Sequence, residues 1–147
     1  MAIKGMRSLQ ARLKNISKSY ESNKQVRAGF LEGAIYPDGT PVALVAAVHE
    51  FGAPAKNIPA RPFLRTAIAQ KKDKWAKQLG KAIEATGNTE GALEIVGEVI
   101  KDDIRSRIHD GDWAPNNPKT AARKGFGKPL IDTAHMINSV VHEVTEK

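Results

Sequence analysis

Residues 61–109 read RPFLRTAIAQKKDKWAKQLGKAIEATGNTEGALEIVGEVIKDDIRSRIH and carry two long helical patterns. Pro62 suits the first position of a helix, because its missing N–H would have no partner there. Apolar residues then recur at helical spacing and predict a helix to about residue 85. This stripe consists of Leu64, Ile68, Trp75, Leu79 and Ile83, and the opposite side carries Lys74, Lys77 and Lys81.

Gly87, Asn88 and Thr89 interrupt the pattern, and either Asn88 or Thr89 is suited to cap a second helix over residues 90–109. Its inward positions follow spacings of four and three: Leu93, Val96, Ile100 and Ile104. Its outward charges are expected to pair along the helix surface: Glu94, Glu98, Lys101 and Arg105. Two long neighbouring helices are therefore predicted.

Two shorter segments alternate with the two-residue period of a strand. One covers residues 25–35, and the other covers residues 139–145 with Val140, His142 and Val144 on one side. We expect these strands to pair and to be buried against the long helices. The predicted fold class is α+β, a small antiparallel sheet packed against two long helices, with an N-terminal amphipathic helix.

The remaining segments complete a single predicted domain over residues 1–147. Residues 1–24 hold the N-terminal helix (3–21), 25–109 the sheet and helix core, 110–129 a long loop, and 130–147 a short helix and the terminal strand. Residues 37–41 predict a turn, and 52–60 a loop. Periodicity leaves 42–51 open between helix and strand, and its alanines favour helix. The long loop has room for one helical turn at 120–124, and Asp132 or Thr133 is suited to cap the short helix.

Net charge is +7, with 23 basic and 16 acidic residues, and it is unevenly distributed. Residues 1–30 carry seven basic groups against Glu21, whereas residues 31–60 are net acidic by two. In the N-terminal helix the cations Lys4, Arg7, Lys14 and Lys18 lie opposite an apolar face of Ile3, Met6, Leu9, Leu13, Ile16 and Tyr20. Such basic faces suit a nucleic acid or an acidic partner subunit, or are simply solvated.

Several classes of protein are disfavoured. The chain has no cysteine, which excludes disulfides and thiolate metal sites. No apolar run approaches 18 residues, and the first residues do not resemble a secretory signal, so neither a membrane span nor secretion is expected.

The motifs of catalysis are incomplete. His49 and Glu50 begin like a zinc-protease helix, but Ala53 stands where the second histidine is needed. His109, Asp110 and Asp112 have no recognised metal-ligand spacing, and Gly125, Phe126, Gly127 and Lys128 do not form a phosphate loop. We therefore expect no enzyme, no cofactor and no metal. Arg123, Lys124, Phe126 and Lys128 either follow a phosphate backbone or form a solvated loop.

Two segments together carry a family resemblance. The first is Val45-Ala46-Ala47-Val48-His49-Glu50-Phe51-Gly52, followed by Ile58-Pro59-Ala60-Arg61-Pro62-Phe63-Leu64-Arg65. The second is Trp113-Ala114-Pro115, then Thr120, Lys128-Pro129-Leu130-Ile131-Asp132-Thr133, Met136 and Asn138-Ser139-Val140. Over residues 26–145 the chain resembles the virion-morphogenesis and tail-completion proteins of tailed bacteriophages.

This resemblance implies a structural virion protein, a subunit of a homo-oligomeric ring, expected to be hexameric, at the head–tail junction. Such a ring completes the tail interface, surrounds the DNA channel, contacts neighbouring head-connector and tail-tube or terminator proteins, and assembles in the host cytoplasm. The interface with a neighbouring subunit is expected at Phe51, Gly52, Arg61, Pro62, Phe63 and Arg65, unless these residues only hold a corner of the fold. One of two basic stripes is expected to face DNA or an acidic partner. The candidates are the stripe of Lys74, Lys77 and Lys81 and the stripe of Lys4, Arg7, Lys14 and Lys18. The alternatives are a basic nucleic-acid-binding protein, a transient assembly factor, or a small metal-dependent hydrolase.

Overall fold

The computed structural model describes residues 6–147, with the side chains of Met6, Ser19 and Tyr20 left aside. The predicted contributions of Ile3 and Lys4 lie outside the described residues. Within this range the chain forms six α-helices and two strands. In chain order they are α1 (Met6–Tyr20), β1 (Lys24–Phe30), α2 (Val42–Phe51), a 3₁₀ turn (Pro54–Lys56), α3 (Phe63–Thr86), α4 (Thr89–Asp110), α5 (Pro118–Lys124), α6 (His135–Asn138) and β2 (Val140–Glu146).

The two long helices α3 and α4 pack against each other, and the two-stranded sheet lies on α4. The predicted α+β architecture is thus confirmed. β1 and β2 are antiparallel in a register that pairs Val26 with Val144, Ala28 with His142 and Phe30 with Val140. The predicted face of β2 meets α4, where the Gly97 backbone lies against His142 and Val26.

The main core lies between α2, the start of α3, the end of α4 and the segment leading into β2. Its buried members are Val42, Ala46, Phe63, Ala67, Ile104, Ile108, Leu130, Met136 and Val140. A second cluster joins the far half of α3 to the start of α4, where Trp75, Leu79 and Ile83 pack against Ala82, Ala92 and Val96. The predicted inward face of α4 is confirmed, with Leu93, Val96 and Ile104 buried.

The first half of α3 differs from its prediction. Pro62 occupies the N-cap position and the helix begins at Phe63. Its buried positions are Phe63 and Ala67, whereas Ile68 is 44% exposed. The buried face is therefore rotated by one residue from the predicted stripe, because Phe63 and Ala67 are the residues that join the main core together with Ile104 and Ile108 of α4.

The predicted strands and the predicted cap at Asn88 are present, but the end of β1 and the start of α6 differ from the prediction. β1 stops at Phe30 instead of residue 35, because the chain turns at Gly33 (φ +94°), and Ile35 forms only an isolated bridge with Pro41. The segment 42–51 is a helix. Asn88 caps α4 by accepting a hydrogen bond from Glu90 N. Neither Asp132 nor Thr133 caps α6, which follows a left-handed residue, Ala134.

The predicted long loop contains a helix of seven residues, α5, capped by Asn117.

The predicted ion pairs along the surface of α4 are only partly formed. Glu98 pairs with Lys101, but Glu94 contacts His142 at 2.9 Å, and Arg105 donates to the carbonyl of Val140 at 2.7 Å. These outward charges thus attach the sheet to α4 instead of pairing only with each other.

α1 stands apart from this body. Among the described residues it packs against no other element over an extended surface. Its apolar face is open to solvent, with Leu9 and Leu13 each 55% exposed and Ile16 52% exposed. No helix within residues 6–147 is both long and apolar enough to cross a lipid bilayer.

Candidate subunit interface

The connection between α2 and α3, which we call the 50–65 corner, reverses the chain tightly. Gly52 has φ +76°, and a Cβ added there would lie 2.8 Å from the backbone nitrogen of Ala60. Only glycine fits both the conformation and the close approach. A bridge between Ala53 and Ile58 closes the small loop, and Arg61 N donates to the carbonyl of His49 at 2.7 Å. The corner is thus fixed by backbone contacts.

Glu50 is buried and caps the following helix. Its side chain is at the end of α2, and its carboxylate accepts hydrogen bonds from the backbone N–H groups of Leu64 (2.9 Å) and Arg65 (3.1 Å). The first N–H groups of a helix have no partner within the helix, and the N-cap residue Pro62 supplies no side-chain acceptor. A carboxylate from α2 therefore does the capping for α3 and also neutralises the positive end of its dipole.

Arg61 is buried and holds the 110–129 segment. Its guanidinium donates to the carbonyls of Ala114 (2.9 Å) and Pro115 (3.1 Å) and to Asn116 Oδ1 (3.4 Å). These acceptors are neutral, so the charge is satisfied by dipoles without a carboxylate partner. Desolvation by burial lowers the pKa of Arg61.

His49 lies beside Arg61, with its Nδ1 3.3 Å from Nη1. Burial, followed by the positive charges of Arg61 and Lys124, lowers the pKa of His49 to about 4. The imidazole is therefore neutral near pH 7. Its Nδ1 can then accept the hydrogen bond that Arg61 offers.

Phe51 and Arg65 form the exposed rim of the corner. Phe51 is 66% exposed, and the Arg65 guanidinium lies 5.0 Å from its ring centroid. Arg65 Nε also contacts Glu50 Oε1 at 2.8 Å, which orients the guanidinium. Beside this rim lies an apolar groove of about 310 Å³ between β1, α2 and α3. Its lining includes Ala28, Phe30, Ala47, Phe51, Leu64 and Ile68.

The six predicted interface residues therefore separate into three groups by exposure. Arg61 and Phe63 are 3% and 1% exposed, so in this chain both pack inside the fold. Gly52 and Pro62 are half-buried. Phe51 and Arg65 are exposed at the surface. The sequence did not indicate the groove, because its walls come from three elements that are distant along the chain.

The two predicted basic stripes also differ in their surroundings. Lys74 Nζ is 3.9 Å from Asp103, which also accepts the indole N–H of Trp75 at 2.8 Å, so Lys74 leans toward α4. Lys77 and Lys81 are exposed, and within residues 6–147 neither forms an ion pair. On α1, Arg7, Lys14 and Lys18 are exposed, while Lys4 lies outside the described residues.

A second, polar cleft was not predicted. It has a volume of about 720 Å³ between α2, α5 and the segment before α6, and Tyr36, His49, Lys124, Asp132 and His135 contribute to its lining. Burial, followed by the carboxylates of Asp132 and Asp38, raises the pKa of Tyr36. Burial also lowers the pKa of Lys124. The cleft is lined by both positively and negatively charged side chains.

His109, Asp110 and Asp112 do not assemble a metal centre in the structure. His109 Nδ1 and Asp110 share a hydrogen bond, and Lys128 Nζ approaches the same ring at 3.2 Å. Within residues 6–147 no group of three or more histidine or acidic side chains is placed to hold a metal ion.

The residues of the predicted basic loop Arg123, Lys124 and Phe126 lie together on and after α5, with the Lys124 ammonium 4.8 Å from the Phe126 ring centroid.

Comparison of the chain with protein-family models, with curated proteins and with solved structures finds no significant match.

Proposed function

We propose that this protein is a structural subunit of a homo-oligomeric ring at the head–tail junction of a tailed bacteriophage. The ring completes the tail interface and surrounds the channel through which DNA passes. The proposal starts from the resemblance of residues 26–145 to tail-completion proteins. The observation that carries it further is the exposed apolar surface formed by Phe51, Ile68 and the groove between them.

This surface suits a protein partner better than a small substrate. Monomeric proteins seldom expose contiguous apolar surface without an interaction to cover it. Phe51 and Leu44 are 66% and 57% exposed on α2, and Ile68 is exposed on the neighbouring α3. Aromatic side chains and arginine are enriched in interface centres, as in the Phe51–Arg65 pair.

The charge distribution fits a ring around DNA. Exposed cations lie on α1 (Arg7, Lys14, Lys18) and on α3 (Lys77, Lys81), on surfaces separate from the apolar groove. Cations lining a channel attract phosphates without reading the base sequence. One molecule then offers one surface for its neighbour and another for the genome.

Electron microscopy of intact particles from the phage or prophage that encodes this chain tests the proposal. We expect a ring of density at the neck that accommodates residues 6–147, together with the chain in the protein content of purified particles. If the chain is absent from mature particles but present in assembly intermediates, the proposal is wrong and the protein is a transient assembly factor instead.

The same exposed cations favour one alternative, a nucleic-acid-binding protein that acts outside the particle. Its signature is tight binding of duplex DNA by the isolated chain, with an affinity that falls steeply as salt rises. Titration of labelled duplex DNA at two salt concentrations separates the two functions when it is combined with the particle analysis. Strong monomeric binding together with absence from particles would favour the alternative.

A further inference from the structure

The outer edge of β1 forms one side of the apolar groove. In an antiparallel pair, alternate residues of a strand direct both backbone groups toward the partner strand, and the residues between them direct theirs away. Lys147 N donates to Asn23 O at 2.8 Å, one step beyond the ladder and in its register. Asn23 and the odd-numbered residues of β1 therefore hydrogen-bond to β2. The even-numbered residues direct their N–H and C=O groups outward: Lys24, Val26, Ala28 and Phe30.

The two outer edges of the sheet differ in how they are satisfied. Val140 of β2 pairs with Phe30, and its carbonyl accepts a hydrogen bond from the Arg105 guanidinium at 2.7 Å. This contact agrees with the alternation and covers part of the β2 edge. Within residues 6–147, by contrast, no group outside β2 hydrogen-bonds to the backbone of Ala28 or Phe30. The β1 edge is thus free.

The groove gives an incoming chain access to this edge. Ala28, Gly29 and Phe30 line it, and nothing lies within 4 Å of the position that a Cβ on Gly29 would occupy. The facing wall comes from α2 and α3 and is apolar, with Ala43, Ala47, Leu64 and Ile68. We infer that the groove accepts an extended segment of a partner protein, which adds a third strand to the edge of β1.

The surroundings of the edge define the chemistry of this segment. Peptides that extend a sheet bind through main-chain hydrogen bonds, and the surface beside the edge selects alternate side chains. Every second residue of the segment should therefore be apolar, to contact Ala47, Leu64 and Ile68. The exposed charge on the groove is the Arg65 guanidinium, whereas Glu50 is buried against it. An acidic residue in the segment is consequently favoured over a basic one.

The described part of this chain does not offer such a segment to a second copy. The chain reversals at 36–40 and 53–58 are closed by backbone hydrogen bonds, and Arg61 and Asn116 hold the segment 110–129. The donor is therefore another protein of the particle, and this step rests on the proposed function. One short strand binds weakly alone, but it gains effective concentration when its parent protein is held beside the ring at other points.

Amide exchange of the isolated full chain, followed by NMR, tests whether the edge is free. We expect the outward amides of Val26 and Ala28 to exchange at least about tenfold faster than those of Arg27 and Gly29, which donate to β2. Equal protection of all four amides would mean that the edge is already covered, and would overturn the inference.

Defined peptides test the added strand. The probe is a panel of heptapeptides that alternate threonine with valine, leucine, isoleucine or phenylalanine and carry one glutamate. We expect binding with a Kd below about 1 mM and slower exchange of the Ala28 amide. N-methylation of the peptide amides that meet β1 should weaken binding about tenfold or more, whereas N-methylation of the other amides should not. Absence of saturable binding by every peptide, or equal effects of the two methylations, overturns the inference.

A variant of the groove wall supplies an independent readout. Ala47→Trp, at an exposed position on the groove, should fill it and abolish peptide binding. Ala85→Trp, exposed on α3 outside the groove, is the matched control. Equal peptide affinity of the two variants would contradict the site. The proposed function is judged separately: a ring at the neck without peptide pairing rejects only the added strand, and peptide pairing by a chain absent from particles rejects only the role at the head–tail junction.

Discussion

Glu50 and Arg61 show how single residues shape this molecule. Both are charged and almost fully buried, at 4% and 3% exposure. Glu50 caps α3 from the end of α2, and Arg61 binds the carbonyls of residues 114 and 115. Each charge is hydrogen-bonded where it is buried, which is the condition under which burial is tolerated.

Replacement of Glu50 by alanine should destabilise the protein by about 2–3 kcal/mol, because two N–H groups at the start of α3 lose a charged acceptor. The free energy of unfolding from urea titration measures the effect. Glu84→Ala is the matched control, since Glu84 is exposed on α3, the helix that Glu50 caps. Equal losses for the two variants would show that the cap contributes nothing.

His49 should make stability depend on pH. Its pKa in the folded chain, about 4, lies below the ordinary value of 6.5, so between these values the unfolded chain binds a proton that the folded chain does not. Stability is therefore complete above about pH 6.5 and falls by about 2–3 kcal/mol toward pH 4. Urea unfolding at pH 7 and pH 4.5 checks this. A His49→Gln variant with the same pH dependence as the natural chain would assign the effect elsewhere.

At the scale of elements, the sheet lies close against α4 at Gly97. A Cβ added there would lie 2.3 Å from the His142 ring and 2.9 Å from Val26 Cγ2. The helix interior alone would favour alanine over glycine. Glycine at this position thus allows both strands to lie directly on the helix.

Gly97→Ala should consequently destabilise the protein by about 1–3 kcal/mol through overpacking. Gly80→Ala in α3, where nothing lies within 4 Å of the added Cβ, should instead stabilise it by about 0.5–1 kcal/mol. Thermal unfolding of the two variants measures the contrast. A Gly97→Ala variant as stable as Gly80→Ala would contradict the close packing of sheet and helix.

The segment 110–129 should depend on Arg61 for its order. Arg61→Lys retains the charge but cannot reach several acceptors at once, because an ammonium lacks the planar fork of a guanidinium. We expect faster amide exchange and faster proteolysis around Ala114 and Asn116, while α4 stays protected. Lys77→Arg, an exposed substitution, serves as the control. Unchanged exchange in this segment would mean that Trp113, whose indole donates to Ile108 O at 3.3 Å, anchors it without Arg61.

For the whole molecule, the proposed ring assigns different surfaces to different partners. The apolar groove would take part in the contact between subunits, and the exposed lysines would face DNA or an acidic partner ring. Substitutions on the two surfaces should therefore have distinct effects, on assembly in one case and on DNA passage in the other.

Charge reversal of Lys74, Lys77 and Lys81 to glutamate tests the second surface. If these residues line the channel, particles should still assemble but should eject DNA and infect less efficiently, because the phosphates lose their counter-charges. Reversal of Arg7, Lys14 and Lys18 tests the other stripe in the same way. Plaque counts and ejection assays measure both. Particles that assemble, eject and infect normally would leave the stripe with a role in solvation alone.

The sequence by itself determined the two long helices, the face that α4 buries and the approximate positions of the two strands. These features are local, because the periods of 3.6 and 2 residues record which side of an element meets the core. The turn at Gly87 and the cap at Asn88 likewise depend only on residues that are adjacent in the sequence. The candidate corner was recognisable too, since glycine and proline limit the backbone wherever they occur.

Only the tertiary structure decided which corner residues are buried and which are exposed. Phe63 and Phe51 are both aromatic and belong to one motif, yet they are 1% and 66% exposed. The capping of α3 by Glu50, the hold of Arg61 on residues 114–116 and the groove all join residues that are distant along the chain. Such contacts depend on how packed elements are oriented, and no local period of the sequence records that orientation.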